Sequence, residues 1–169
     1  PGGLVISACI GMFAATASGS TRAPFLPDMA LDLGVSLPAI ANLFGVTATS
    51  WGIGAYIGGR LSDRIGRRVF LIGAPIAIAL SMFAVGLVES YWPLVACVCT
   101  AGLFCGAFTA TAMAEVSLRV DDSQRGRSLG WVMSGQSLTL LIGVPASAAL
   151  GAYVGWRGVH VALGALAVF

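Results

Sequence analysis

Two long apolar runs meet across a single polar junction, Gly59-Arg60-Leu61-Ser62-Asp63-Arg64-Ile65-Gly66-Arg67-Arg68, which packs four arginines and one aspartate into ten residues. One run ends in arginine and the next begins at Val69. That pattern reads as two membrane helices joined by a tight loop, with the arginines holding the loop on the cytoplasmic side. Only 9% of the residues are charged and 57% are hydrophobic, whereas soluble domains carry about 25% charged residues. So few charges cannot cover a water-soluble globule of this size, and the lipid bilayer is the expected partner. A net charge of +2 gives no reason to invoke nucleic acid.

Six apolar segments are expected, at approximately 4–27, 40–58, 69–88, 93–116, 129–154 and 160–169. The first is rich in small residues and ends near Arg22, where Pro24 and Pro27 bend or stop the helix. Asp32 to Pro38 is expected to be an exterior loop with Asp28 and Asp32 solvated, and Ser36 caps the second span ahead of Pro38. In that span Asn42, Gly45, Thr49, Gly52, Tyr56 and Gly59 recur at spacings of three and four, with Gly54 and Gly58 forming a second small patch, so close packing on two sides is expected. The third span is apolar all round, which suits a lipid-facing helix kinked at Pro75. The fifth carries Gln136 and Thr139 and is interrupted at Gly143-Val144-Pro145. The chain opens Pro1-Gly2-Gly3 and closes at Phe169, early in the sixth run, so it is expected to be a fragment; the opening run lacks the features of a signal peptide. Seven of the nine arginines (Arg60, Arg64, Arg67, Arg68, Arg119, Arg125, Arg127) fall in links assigned to the cytoplasm, with Arg22 and Arg157 on the other side. This asymmetry places the N-terminus and both arginine-rich links inside.

Gly59-x-x-x-Asp63-Arg64-x-Gly66-Arg67-Arg68 resembles the loop signature of major facilitator superfamily transporters. Further similarity lies in Pro24-Phe25-Leu26-Pro27 with Asp32-Leu33-Gly34-Val35-Ser36, in Glu115 followed by Arg125-Gly126, and in Gly143-Val144-Pro145 with Gly151 and Trp156-Arg157. The resemblance covers the whole chain. It implies an all-α polytopic membrane helix bundle, the N-terminal six-helix half of a twelve-helix carrier, with five full spans plus the start of a sixth. It further implies that spans one and four line the path, two and five meet the absent C-terminal six-helix half, and three and six face lipid. The nearest branches are drug/proton antiporters and sugar-efflux carriers. Two departures stand out: span four has no arginine, and Val144 separates Gly143 from Pro145. Any coupling residue must then lie elsewhere.

Gly59, Asp63, Arg64, Gly66, Arg67 and Arg68 are read as a conformational latch. Asp63 would face a helix N-terminus of the other half or pair with an arginine, Arg67 would reach Glu115, and Arg125 could join them. The plainer alternative is a solvated topology anchor. Arg22 either faces the cavity and holds an anionic substrate or snorkels to the headgroups. Asn42, Trp51, Gln136 and Thr139 either line a cavity or pack between helices. Gly143, Pro145 and Gly151 are read as packing and kink positions. The four cysteines lie in apolar runs and read as packing residues, with no metal or cofactor expected. An intramembrane hydrolase built on Ser134 and His160 would need the two at one depth, yet they belong at opposite ends of their spans. The expectation is a non-enzymatic secondary transporter in a bacterial inner membrane, moving a small organic solute by proton-coupled efflux, with ion-coupled uptake of an organic anion as the alternative.

Overall fold

The computed structural model describes residues 2–166, and every described element is helical. In chain order these are α1 (Gly2–Ser20), a short 3-10 turn (Ala23–Phe25), α2 (Leu26–Asp32), α3 (Leu37–Ile65), α4 (Arg67–Leu87), α5 (Tyr91–Arg119), α6 (Asp122–Leu138), a π-helical turn (Thr139–Gly143) and α7 (Val144–Leu166). Residues 167–169 of the expected sixth span lie outside the described residues.

Several boundaries differ from the sequence reading. The first helix stops at Ser20 rather than near Pro27, because Pro24 and Pro27 each start a new helical piece instead of continuing the old one. The expected loop from Asp32 is partly helical, since α2 includes Asp32. The arginine junction is not a ten-residue loop: α3 runs to Ile65, Gly66 alone breaks the helix, and Arg67 opens α4. Gly66 takes φ 110°, a conformation that side-chain-bearing residues rarely adopt. At the start of α3, Ser36 Oγ accepts from the Ala39 N–H at 3.4 Å, with Pro38 in the first turn. α4 is continuous through Pro75.

Four described segments are long and apolar enough to cross a membrane: Gly2–Asp32, Arg67–Leu87, Tyr91–Arg119 and Asp122–Ala165. The last is 44 residues long, about twice what one span requires. It is divided at Gly155, whose φ of 68° and ψ of 173° break the helix, so that residues 156–166 start a separate rod. At 29 residues α3 has the length to span, but its glycines, Asn42 and the hydroxyl residues dilute its hydropathy.

The bundle's tightest seam joins α3 to α5. Side chains built on Gly54 and Gly58 would run into Leu103 and Ala107, and side chains on Gly102 and Gly106 would meet the Ser50 side chain and the Trp51 carbonyl. Two small-xxx-small pairs thus face each other and let the backbones approach. Gly135 does the same for α6 on α1, against the Cys9 carbonyl. Met12, Ile40, Leu43, Ile78, Met82, Leu94, Val98, Cys105, Phe108, Val116 and Val159 fill the interior. α4 is not free all round: Ala74, Ile78, Met82 and Val85 are buried, while Val69, Ile72, Ile76, Leu80, Phe83 and Leu87 form an exposed apolar stripe at helical spacing. Of the two expected packing faces of α3, the Gly54–Gly58 patch is closed by α5 and the longer stripe is open. Asn42, Gly45, Thr49, Gly52 and Tyr56 are exposed, and nothing lies against Gly45 or Gly52 among the described residues.

Candidate functional site

At the end of the bundle where α3 turns into α4, the Gly66 break folds Arg67 back onto the last turn of α3. Asp63 Oδ1 accepts from Arg67 Nη2 at 2.8 Å and from Nε at 3.2 Å, a two-pronged contact that suits the flat guanidinium. The third nitrogen, Nη1, donates across to Glu115 Oε2 on α5 at 3.5 Å. Glu115 is buried, and its other oxygen pairs with Arg119 Nε at 2.5 Å. One guanidinium therefore ties α3, α4 and α5 together, and Glu115, the one buried carboxylate among the described residues, is served by two arginines. Ser62, beneath the break, is buried and donates to the Gly59 carbonyl. A cleft of about 720 Å³ opens here, lined by Asp63, Gly66, Arg67, Arg68, Glu115 and Arg119.

The other residues of the junction stand outside this network. Arg64 and Arg68 are exposed, and neither pairs with a carboxylate among the described residues. Arg60 lies over the Tyr56 ring at 4.8 Å and donates to its hydroxyl. Arg125 does not reach Glu115, contrary to expectation. It pairs with Asp122 and donates to the Ser117 carbonyl at 3.0 Å, fastening the start of α6 to the end of α5.

The opposite end holds a network the sequence reading left out. Asp32 is not simply solvated. Its Oδ2 accepts from Trp156 Nε1 and from Arg157 Nη1, both at 2.8 Å, and Arg157 also donates to the Val88 carbonyl at 3.3 Å. Asp32 and Trp156 are 124 positions apart, so no local spacing could announce the contact. Arg119 was legible, since it stands four residues after Glu115 on one helix.

Arg22 is 2% exposed, which corrects both readings offered for it: it neither faces an open cavity nor reaches the surface. Nε donates to the Gly19 carbonyl at 3.1 Å and Nη2 to Thr47 Oγ1 at 2.6 Å, while Nη1 has no partner. Thr139 is likewise buried, and it donates to the Phe13 and Gly135 carbonyls rather than lining a cavity. Trp51 packs half-buried against the core, Gln136 is half-buried on α6, and Asn42 lies on the open face of α3. Gly143 closes the π-helical turn and Pro145 follows it. Proline has no N–H, and the chain re-registers so that the Val144 N–H reaches the Thr139 carbonyl five residues back. Gly151 accommodates the Phe25 ring. Ser134 donates to the Trp131 carbonyl and His160 engages the Trp156 carbonyl, so the two are not joined as a hydrolytic pair.

The family model for the Major Facilitator Superfamily matches residues 8–169. A chloramphenicol resistance protein of Streptomyces lividans is 35% identical over 136 residues, covering 80% of this chain and 34% of that protein. The uncharacterized MFS-type transporter YwfA of Bacillus subtilis is 28% identical over 91% of this chain and 37% of its own length. The multidrug resistance protein MdtG of Escherichia fergusonii is 29% identical over 92% of this chain and 39% of its own. The chain thus spans between a third and two-fifths of the curated relatives it matches. The extent of the family match, together with the helical bundle and its arginine junction, decides the matter: the chain belongs to the major facilitator superfamily.

Proposed function

We propose that this chain is the N-terminal six-helix half of a secondary transporter that exports a small organic molecule in exchange for protons. The bacterial inner membrane is its location in this reading, with the N-terminus and the arginine end in the cytoplasm, an orientation the arginine asymmetry supports. The observation that carries the proposal is the Arg67 contact with Asp63 and Glu115. A topology anchor needs only cations; it does not need a buried carboxylate shared by two guanidiniums. A charge cluster that joins three helices at one end of a bundle suits a latch that favours one of two arrangements of a carrier. The open face of α3 supports the same reading, since a second six-helix half would cover it. Export rather than uptake rests on the resistance proteins among the relatives. The burial of Arg22 gives the anion-uptake alternative less support than export.

The test uses the full-length transporter in inside-out membrane vesicles with radiolabelled chloramphenicol and a panel of other small organic compounds. An acid-inside pH gradient should drive accumulation of at least one compound, and collapsing the gradient should release it. Accumulation indifferent to the gradient would count against proton exchange, and no accumulation of any compound would count against export.

A further inference from the structure

The π-helical turn in the fifth span leaves one main-chain acceptor without a donor. The Val144 N–H donates to the Thr139 carbonyl, five residues back. In an α-helix that N–H would serve Leu140, four residues back. The N–H that could reach Leu140 at the π spacing would belong to residue 145, and Pro145 has none. The Leu140 carbonyl therefore has no helical partner. The hydroxyls nearby do not cover it either. Thr139 Oγ1 donates to the Phe13 carbonyl at 2.9 Å and to the Gly135 carbonyl at 3.1 Å, and Ser147 Oγ donates to the Val144 carbonyl at 2.7 Å. The turn is also pinned to α1, through the bond from Thr139 to Phe13 and through Gly135, which sits against the Cys9 carbonyl. Leu140 lies midway between the start of α6 at Asp122 and the break at Gly155. Its surroundings are open among the described residues: Leu140, Leu141 and Ile142 are 58%, 73% and 56% exposed, and Pro145 and Ala146 are exposed as well.

We propose that the Leu140 carbonyl is a substrate-binding acceptor, which takes a hydrogen bond from an N–H or O–H of the transported molecule while the molecule's apolar part lies on Leu140, Leu141 and Ile142. A bare carbonyl facing hydrocarbon is costly, and main-chain groups without a helical partner persist at membrane depth only where they line water or are covered by protein. Carriers with broken helices present such carbonyls to their cargo near the midplane. One strong acceptor framed by large aliphatic side chains is also the make-up of a small-molecule site. Thr139 and Ser147 stand close enough in sequence to have capped the turn, yet both hydroxyls are spent elsewhere, so the acceptor is left free for a partner that comes and goes. The cargo this selects is an apolar organic molecule with at least one hydrogen-bond donor, a protonated amine included; a molecule of the same shape without a donor is held less well. The inference rests on the transporter reading and names the chemistry of its cargo. It depends neither on proton exchange nor on the direction of transport.

The experiment uses the full-length transporter in lipid nanodiscs, with leucine labelled at the carbonyl carbon with ¹³C and at the amide with ¹⁵N. Such labelling selects the Leu140–Leu141 pair, and the signal is assigned by its loss in Leu141→Ile. Two probes of equal charge are compared: N,N-dimethylbenzylammonium, which has one N–H, and benzyltrimethylammonium, which has none. The carbonyl signal should start at the position of an acceptor with no N–H partner and move to the bonded position with the first probe only. The first probe should also bind about tenfold more tightly, as one charge-assisted hydrogen bond implies. Pro145→Ala supplies the missing N–H and should abolish both the starting position and the preference between probes. If Pro145→Ala does not fold, a main-chain ester at position 141 weakens the same acceptor and should bring the two affinities together. A signal already at the bonded position without any probe would mean that another part of the carrier supplies the donor, and would overturn the proposal. So would a signal that ignores the first probe, or one that responds to both alike. A responding carbonyl in a protein that drives no gradient-linked export would leave the site standing and remove the export reading; export with an unresponsive carbonyl would do the reverse.

Discussion

The arginine end and the tryptophan end are each tied by one acidic side chain holding two donors, yet they are built differently. At the arginine end the doubly served carboxylate, Glu115, is buried; its partners Arg67 and Arg119 come from α4 and α5, and Asp63 backs up Arg67 from four residues away. Arg64 and Arg68 are left over as exposed cations. At the tryptophan end the carboxylate, Asp32, is 45% exposed on its side chain, and its partners Trp156 and Arg157 lie more than a hundred residues along the chain. The first network has surplus positive charge and an open cleft lined by Asp63, Gly66, Arg67, Arg68, Glu115 and Arg119. The second is balanced and closes α2 onto the start of the sixth span. The difference is that one end leaves cations unpaired among the described residues while the other pairs its charges.

Four substitutions in the full-length protein separate the two ends. The largest effect belongs to the seam they share. Gly106→Leu would drive a side chain into the Trp51 carbonyl, and overpacking of this kind costs about 1–3 kcal/mol or more. Thermal unfolding in detergent should show a much less stable protein, and both ends should fail together. Glu115→Gln comes next: it removes the buried negative charge and leaves one acceptor oxygen for two arginines, and transport should fall at least about tenfold, equivalent to about 1.4 kcal/mol of lost bias between states. Asp32→Asn should loosen only the tryptophan end. Its exposed ion pair contributes about 0–1 kcal/mol to stability, but a thiol reagent should label a cysteine placed at Val88 faster than in the parent protein. The smallest effect is expected for Arg64→Gln, within about 0.5 kcal/mol in stability and with transport retained, because no carboxylate pairs with it among the described residues.

The sequence made parts of this picture legible and hid others for physical reasons. α4 and the fifth helix were readable because an unbroken apolar run of the right length has few other uses, and the Ser36 cap was readable because its signal is local. The reach of α3 through Arg60 and Asp63 was hidden, since hydropathy registers only the part of a helix that sits in oil. Arg67 with Glu115 could be anticipated from the family's pattern. The clamp at Asp32 could not, because the contact exists only after the bundle closes. Arg22 was read as facing a cavity or reaching the headgroups, since an arginine near a helix end has few other uses; here the chain turns at Thr21 and Arg22 is buried against Thr47 of α3.

Of these contacts, the one between Asp63 and Arg67 discriminates most sharply between a latch and an anchor. It is exposed and local, so its loss should cost the isolated half almost nothing. Asp63→Asn should insert normally and unfold at the wild-type temperature, yet lose most substrate export from cells expressing the full-length carrier. Export at the wild-type rate, with surface abundance matched, would mean that the arginine end does no more than orient the protein in its membrane.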